Sequence, residues 1–207
     1  KSSVRHGWHC TNVLYLWISC SKVIKRPIPR ALPQSPDNPD RRVLQDVAQF
    51  LHALNIGRQG QRRVQGMIIA QDRTHAADLA EAWCHLNLPG TCAVYHGQLA
   101  NDIRRRDKQQ FTSGNTDVLI VVQMLREGFD HPPVTVVGFC RRVGSPVLFG
   151  QFVGRALRIV RDDDTFPTTA TVVWANEHSQ ERNWDDFISE RLIPVHDDPE
   201  PMDEDPQ

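Results

Sequence analysis

Lysine is nearly missing from this 207-residue chain: four occur, at positions 1, 22, 25 and 108, among 24 basic side chains. A basic set made of arginine suits forked contact with phosphate oxygens rather than point-charge contact. Cysteine is thin as well. The five, at 10, 20, 84, 92 and 140, contain no C-x-x-C pair, which excludes a disulfide-stapled scaffold and predicts a reducing, intracellular setting, cytoplasmic or nuclear. His6, His9 and Cys10 cluster but fall short of four ligands, or three plus water, and read as a loose polar end. Long apolar runs are absent: "VLYLWIS" at 13–19 is far below membrane-spanning length and no small-residue cleavage pattern follows it, so neither a membrane span nor a cleaved leader is expected. Three glycine signatures are also missing. No G-x-x-x-x-G-K-[ST] occurs and no lysine follows a glycine, so there is no phosphate loop; G-x-G-x-x-G and G-x-S-x-G are absent, which counts against a dinucleotide enzyme or a serine hydrolase.

What is present is one core's worth of sequence with two unusual ends. The formal net charge of −1 hides an asymmetry, because six acidic residues and no Lys or Arg fill the last eleven positions, leaving the rest mildly basic. That surplus permits a polyanionic partner without demanding one. "RPIPRALPQSPDNPD" at 26–40 holds five prolines and reads as an extended connector. The expected division is an extended segment and linker over 1–39, a compact domain over 40–193 and a disordered acidic tail over 194–207. The chain opens on Lys rather than Met, and the expectation is a domain cut from something longer.

Residues 40–56 repeat Val43, Val47, Phe50, Leu51 and Leu54 at helical intervals. "GRQGQRRVQG" then reads as a basic loop. From residue 67 short apolar runs alternate with longer polar-faced stretches, which predicts strands at 67–70, 91–95, 117–122, 134–139 and 170–174 and helices at 74–87, 99–113, 146–160 and 179–192. The fold class is therefore α/β, a doubly wound, mostly parallel sheet flanked by helices.

Ligands of such sheets gather beyond the carboxyl ends of the strands. After the third strand, Gly128 flanked by Glu127 and Asp130 offers a turn whose carboxylates could accept from a sugar hydroxyl or steer an arginine; an ordinary turn before Pro132-Pro133 explains it equally well. After the second come His96-Gly97 and then Arg104, Arg105, Arg106 and Lys108, mostly a solvated helix surface with one or two candidates for phosphate contact. His75 and His85 are assigned surface or packing roles. In "GQFVGRALRI", a helix would put Gln151, Arg155 and Arg158 on one face around Gly154, a pattern that a plain surface helix also shows.

From about residue 64 to about 175 these spacings resemble the second RecA-like domain of superfamily 2 helicases. "MIIAQDR" resembles motif IV, "QMLREGFDHP" motif V and "QFVGRALR" motif VI, with His96, Gly97, Arg104, Phe111 and Gly114 in register between them. The E-G-F-D-x-P and Q-F-V-G-R forms look most like the branch holding restriction-system motor subunits and related DEAD/DEAH-type proteins. The resemblance implies a P-loop NTPase fold without its P-loop. It implies that Arg158 is an arginine finger with Arg155 as companion, and that Gln151, Gly154, Glu127, Gly128 and Asp130 serve the nucleotide. His96, Gly97, Arg104 and Gln123 would contact the strand, although Val122 and Gln123 stand where motif V often has threonine and an acidic residue. ATP with Mg2+ would be bound mainly by an N-terminal RecA-like domain, in the same parent chain or a partner, and the other partner would be DNA or RNA. "DEDP" at 203–206 matches the magnesium-holding letters but has no buried strand before it. The chain alone is expected to be inactive. The competing expectations are a noncatalytic nucleic-acid-binding or regulatory module and, third, a doubly wound enzyme of another kind.

Overall fold

The computed structural model describes residues 16–19, 38–122, 131, 133–158, 160, 163–167, 169–175 and 178–191. Helix α1 (Pro39–Asn55) begins where the sequence supplies a cap: the Asn38 side chain accepts from the Asp40 and Arg41 amides at 2.9 and 3.3 Å, and Pro39 fits the first turn. Its buried stripe is Val43, Leu44, Val47, Ala48, Phe50 and Leu51. The strands β2 (Gln65–Ile69), β3 (Cys92–Tyr95), β4 (Val118–Val121), β5 (Val134–Phe139) and β6 (Thr169–Trp174) pair in parallel, and β1 (Leu16–Ser19) runs antiparallel along β6, giving the order β1-β6-β5-β2-β4-β3. Helices α2 (Arg73–His85), α3 (Asn101–Thr112), α4 (Pro146–Ala156) and α5 (Glu181–Arg191) fill the crossovers and the end.

Period-two alternation divides the core. Ile68, Ile120, Val136 and Val173 face α1 and α2, while Met67, Ile69, Leu119, Val121, Val137, Phe139 and Val172 face the aromatic set Phe111, Phe149, Phe152, Trp184 and Phe187 of α3, α4 and α5. Each fully buried large side chain contributes about 1.5–3 kcal/mol, so both faces are needed to hold the sheet. Gly138 lets α1 lie close, since a Cβ there would meet Val47 at 2.8 Å.

Three expectations need correction. The compact unit does not begin only at residue 40: Leu16–Ser19 pairs with Val172–Thr169, because β6 would otherwise leave an open ladder that a β-forming apolar run can occupy. The basic loop is shorter than expected, because Gln65 and Gly66 belong to β2, and its Arg58 is buried at 9% exposure. The last crossover helix ends at Ala156, not 160; Leu157 caps it, and Val160 and Phe166 are drawn into the core on the opposite face, so Arg158 lies beyond the helix. The remaining boundaries fall within a few residues of expectation.

Candidate functional site

The site residues sort by the two ends of the sheet. At the carboxyl end, Asp72 caps α2 by accepting from the His75 amide at 2.9 Å, which places Arg73 on the first turn directly after β2. The Arg73 guanidinium donates to Gln98, in the loop after β3. His96 stands beside it; burial, and then the Arg73 charge, hold its pKa below the ordinary histidine value, which favours the neutral ring. Its Nδ1 is buried and has no hydrogen-bond partner among the described residues. Arg104, in the first turn of α3, donates to the Gly97 carbonyl at 3.3 Å and to Asn101 Oδ1 at 2.9 Å. The structure thus brings Arg104 against Gly97, next to His96, and places Arg73 and Gln98 beside them, two residues that sequence reading missed. The available signal was the position of "QDRTH" just after a strand.

Behind this rim lies a clamp. Asp40 at the start of α1 accepts from His75 Nε2 at 3.0 Å and meets His178 Nε2 at 2.8 Å, while His75 Nδ1 accepts the Gln71 amide at 3.2 Å, which leaves the His75 Nε2 proton for the carboxylate. Burial raises the Asp40 pKa, but the hydrogen bond from His178 and the charges of His75 and His178 more than offset it, and the net direction is downward. Cys140 sits beside this carboxylate, fully buried, and burial pushes its thiol well above its usual value. His75 therefore has a structural role, as assigned; His85 is exposed and pairs with Glu81 at 3.2 Å. No group of three His, Cys, Asp or Glu poised for a metal ion occurs among the described residues.

At the amino end, α4 runs back along the sheet, so its last turn carries Arg155 away from the rim. Gln151 is exposed one turn earlier; Gly154, Arg155 and Arg158 are half-buried, and both arginines engage neighbouring groups. Past Arg158 the chain is pinned by Arg58, which donates to the Arg62 and Thr165 carbonyls at 3.0 and 2.8 Å, meets Asp163 at 2.8 Å and covers the Phe166 ring at 4.9 Å. Gln123, Glu127, Gly128 and Asp130 lie outside the described residues. The next one, His131, is described: its Nε2 meets Gln65 Oε1 at 2.5 Å, and the buried Gln65 amide donates to the Phe111 and Thr116 carbonyls at 2.7 and 2.6 Å. His131 is thereby tied to the far end of α3, whose first turn carries Arg104.

A family model described as the helicase conserved C-terminal domain matches residues 45–160. An uncharacterized protein of Mycobacterium tuberculosis is 30% identical over 100 residues, covering 48% of this chain and 16% of that protein. The UvrABC system protein B of Chlamydia abortus is 34% identical over 102 residues, covering 45% of this chain and 15% of that protein. The chain therefore spans a small part of the relatives it matches. Among solved structures, domain 2 of the Mss116p DEAD-box helicase bound to an RNA duplex has a TM-score of 0.47 at 13% identity, covering 61% of this chain and 48% of that one. The Mycobacterium smegmatis helicase Lhr bound to ssDNA and AMP-PNP also has a TM-score of 0.47, at 19% identity, covering 63% of this chain and 17% of that one.

Proposed function

The chain belongs to the helicase conserved C-terminal domain family, and on that premise we propose that it is the second motor lobe of an ATP-driven nucleic-acid helicase or translocase of superfamily 2. The observation that carries the reading is the family match over 45–160, which takes in both the carboxyl-end rim and the arginine-bearing α4. In this reading a first RecA-like lobe holds ATP, and Arg158, with Arg155 beside it, stabilises charge on the transferred phosphoryl group. Gln151 and Gly154 complete that edge. Glu127, Gly128 and Asp130 contact the ribose and couple it to the strand. His96, Gly97, Arg104 and Gln123 hold strand phosphates, and Arg73 joins them. Such contacts give affinity and register without reading sequence. Mg2+ comes with the ATP on that first lobe, and no group of three His, Cys, Asp or Glu that could hold it occurs among the described residues of this one. No described helix is long and apolar enough to cross a membrane, and an intracellular setting is part of the proposal.

The test is reconstitution. The chain alone is expected to show no strand-stimulated ATPase. Joined to a phosphate-loop lobe it should turn over ATP, and Arg158→Ala should lower that rate by on the order of 10³-fold with strand binding retained. Turnover unchanged by the substitution would remove the finger assignment. Strand binding by the chain, with no turnover in any lobe pairing, would favour the noncatalytic module.

A further inference from the structure

The carboxyl rim does not stop at motif IV. Following the order of the sheet, β3 leads to Arg104, β2 to Arg73, β5 to Arg141 and Arg142, and β6 to Arg182 in the first turn of α5. Neighbouring strands lie about 4.8 Å apart, so the row crosses five strands, on the order of 19 Å, the length of several nucleotides. Arg141 joins its two halves by donating to the Gln71 carbonyl at 3.4 Å. At the far end Arg142 and Arg182 line a cavity of about 470 Å³ together with Ser179, Glu181 and Asp186.

This end is built rather than incidental. Gln180, 1% exposed, donates to the Arg141 and His178 carbonyls at 2.9 and 2.7 Å and accepts the Val143 amide at 3.3 Å. Asn183, 9% exposed, donates to the Val143 carbonyl at 2.5 Å and to Gln180 at 3.2 Å. Two buried amides thus fix the loop after β5 against the start of α5, with the cavity between them. Neither Arg142 nor Arg182 is ion-paired among the described residues. Both lie on the exposed side of that scaffold.

Resting on the strand-contact reading above, we propose that a single-stranded nucleic acid runs past Arg73 to this cavity, where Arg142 and Arg182 bind backbone phosphates beyond the family motifs. The Glu181 and Asp186 carboxylates nearly cancel the local charge, so the contact works by short-range forked hydrogen bonds and adds little long-range steering. It lengthens the footprint without adding sequence preference.

The experiment uses the full 207-residue chain and fluorescent dT and rU oligomers of increasing length, with affinity measured against salt. The Arg142→Ala/Arg182→Ala variant should match the wild type on the shortest strands that bind. On long strands its log–log salt slope should be shallower by about 1.4, two contacts at about 0.7 each. The Arg142→Lys/Arg182→Lys variant should keep most of the slope. Equal long-strand slopes for the alanine variant and the wild type, while Arg73→Ala/Arg104→Ala weakens binding, would overturn this inference and leave the strand-contact reading standing. No strand binding by the wild type at any length would remove that reading itself, and the inference with it. With labelled polyglutamate as a second probe, binding by the wild type that the Arg142→Ala/Arg182→Ala variant loses, strand binding being intact in both, would make the cavity an acidic-protein site and overturn the proposal.

Discussion

Arginines at the two ends of the sheet live in different surroundings. At the carboxyl end they stand on loops and first turns: Arg73 and Arg104 meet neutral oxygens, on Gln98, Gly97 and Asn101, that a phosphate can replace or supplement. At the amino end Arg58 is buried, with three oxygens and a ring as partners, and Arg155 and Arg158, which precede the segment it pins, are half-buried. A polymer that must slide needs adaptable, individually weak contacts, whereas a charge that stabilises phosphoryl transfer needs a rigid mount. The carboxyl end offers the first kind of surrounding and the amino end the second. Helix α3 spans them, from Arg104 in its first turn to the carbonyl of Phe111, held through Gln65 to His131.

The comparison can be broken most severely at the rigid end. Arg58→Met should cost about 3 kcal/mol, because several charge-assisted bonds go and Asp163 loses its cation; a thermal melt checks it. An unaffected melt would mean that the amino end is not the stiffer one. Gln65→Leu should cost about 2 kcal/mol by stranding two carbonyls and His131. Its signature is a shift of the His131 ring resonances, which a simple packing defect elsewhere would not produce.

Smaller effects sharpen the adaptable end. Asp40→Asn weakens the His75–His178 clamp and should cost about 1 kcal/mol near neutral pH. The Asp40 pKa is lowered in the fold, so its contribution is present above the ordinary aspartate value and lost as pH falls through the folded one. The wild-type and Asn variants should therefore converge in melting temperature on acidification, and a gap that widened at low pH would contradict the clamp. Smallest in stability is Arg73→Ala, which should leave the melt unchanged and make the strand-binding salt slope shallower by about 0.7.

Much of this architecture was readable in the residues themselves. Alternating apolar runs located five strands and four crossover or closing helices, since period and turn chemistry are local properties. The cap at Asn38 and the stripe Val43, Val47, Leu51 likewise needed no knowledge of neighbours. What stayed hidden depends on pairs far apart in sequence. Asp40 meets His178 across 138 positions, Gln65 meets His131 across 66 and Arg73 meets Gln98 across 25, and no periodicity announces such contacts. Gln65 even looked like loop, because a buried glutamine on a central strand breaks the apolar pattern that marks a strand. The edge strand at Leu16–Ser19 escaped because proline-rich sequence after it suggested a detached arm. Of the candidate site, the grouping of His96, Gly97 and Arg104 was legible from spacing, while the end of α4 before Arg158 was set by packing of Val160 and Phe166 across the sheet.

The central claim is that the two ends do separate jobs. Its most direct test measures ATP turnover and strand affinity side by side for the chain joined to a phosphate-loop lobe. The account predicts that Arg158→Ala removes turnover and spares strand affinity, while Arg73→Ala/Arg104→Ala weakens strand affinity and leaves turnover at saturating strand near the wild-type rate. Both substitutions lowering both quantities in proportion would contradict it.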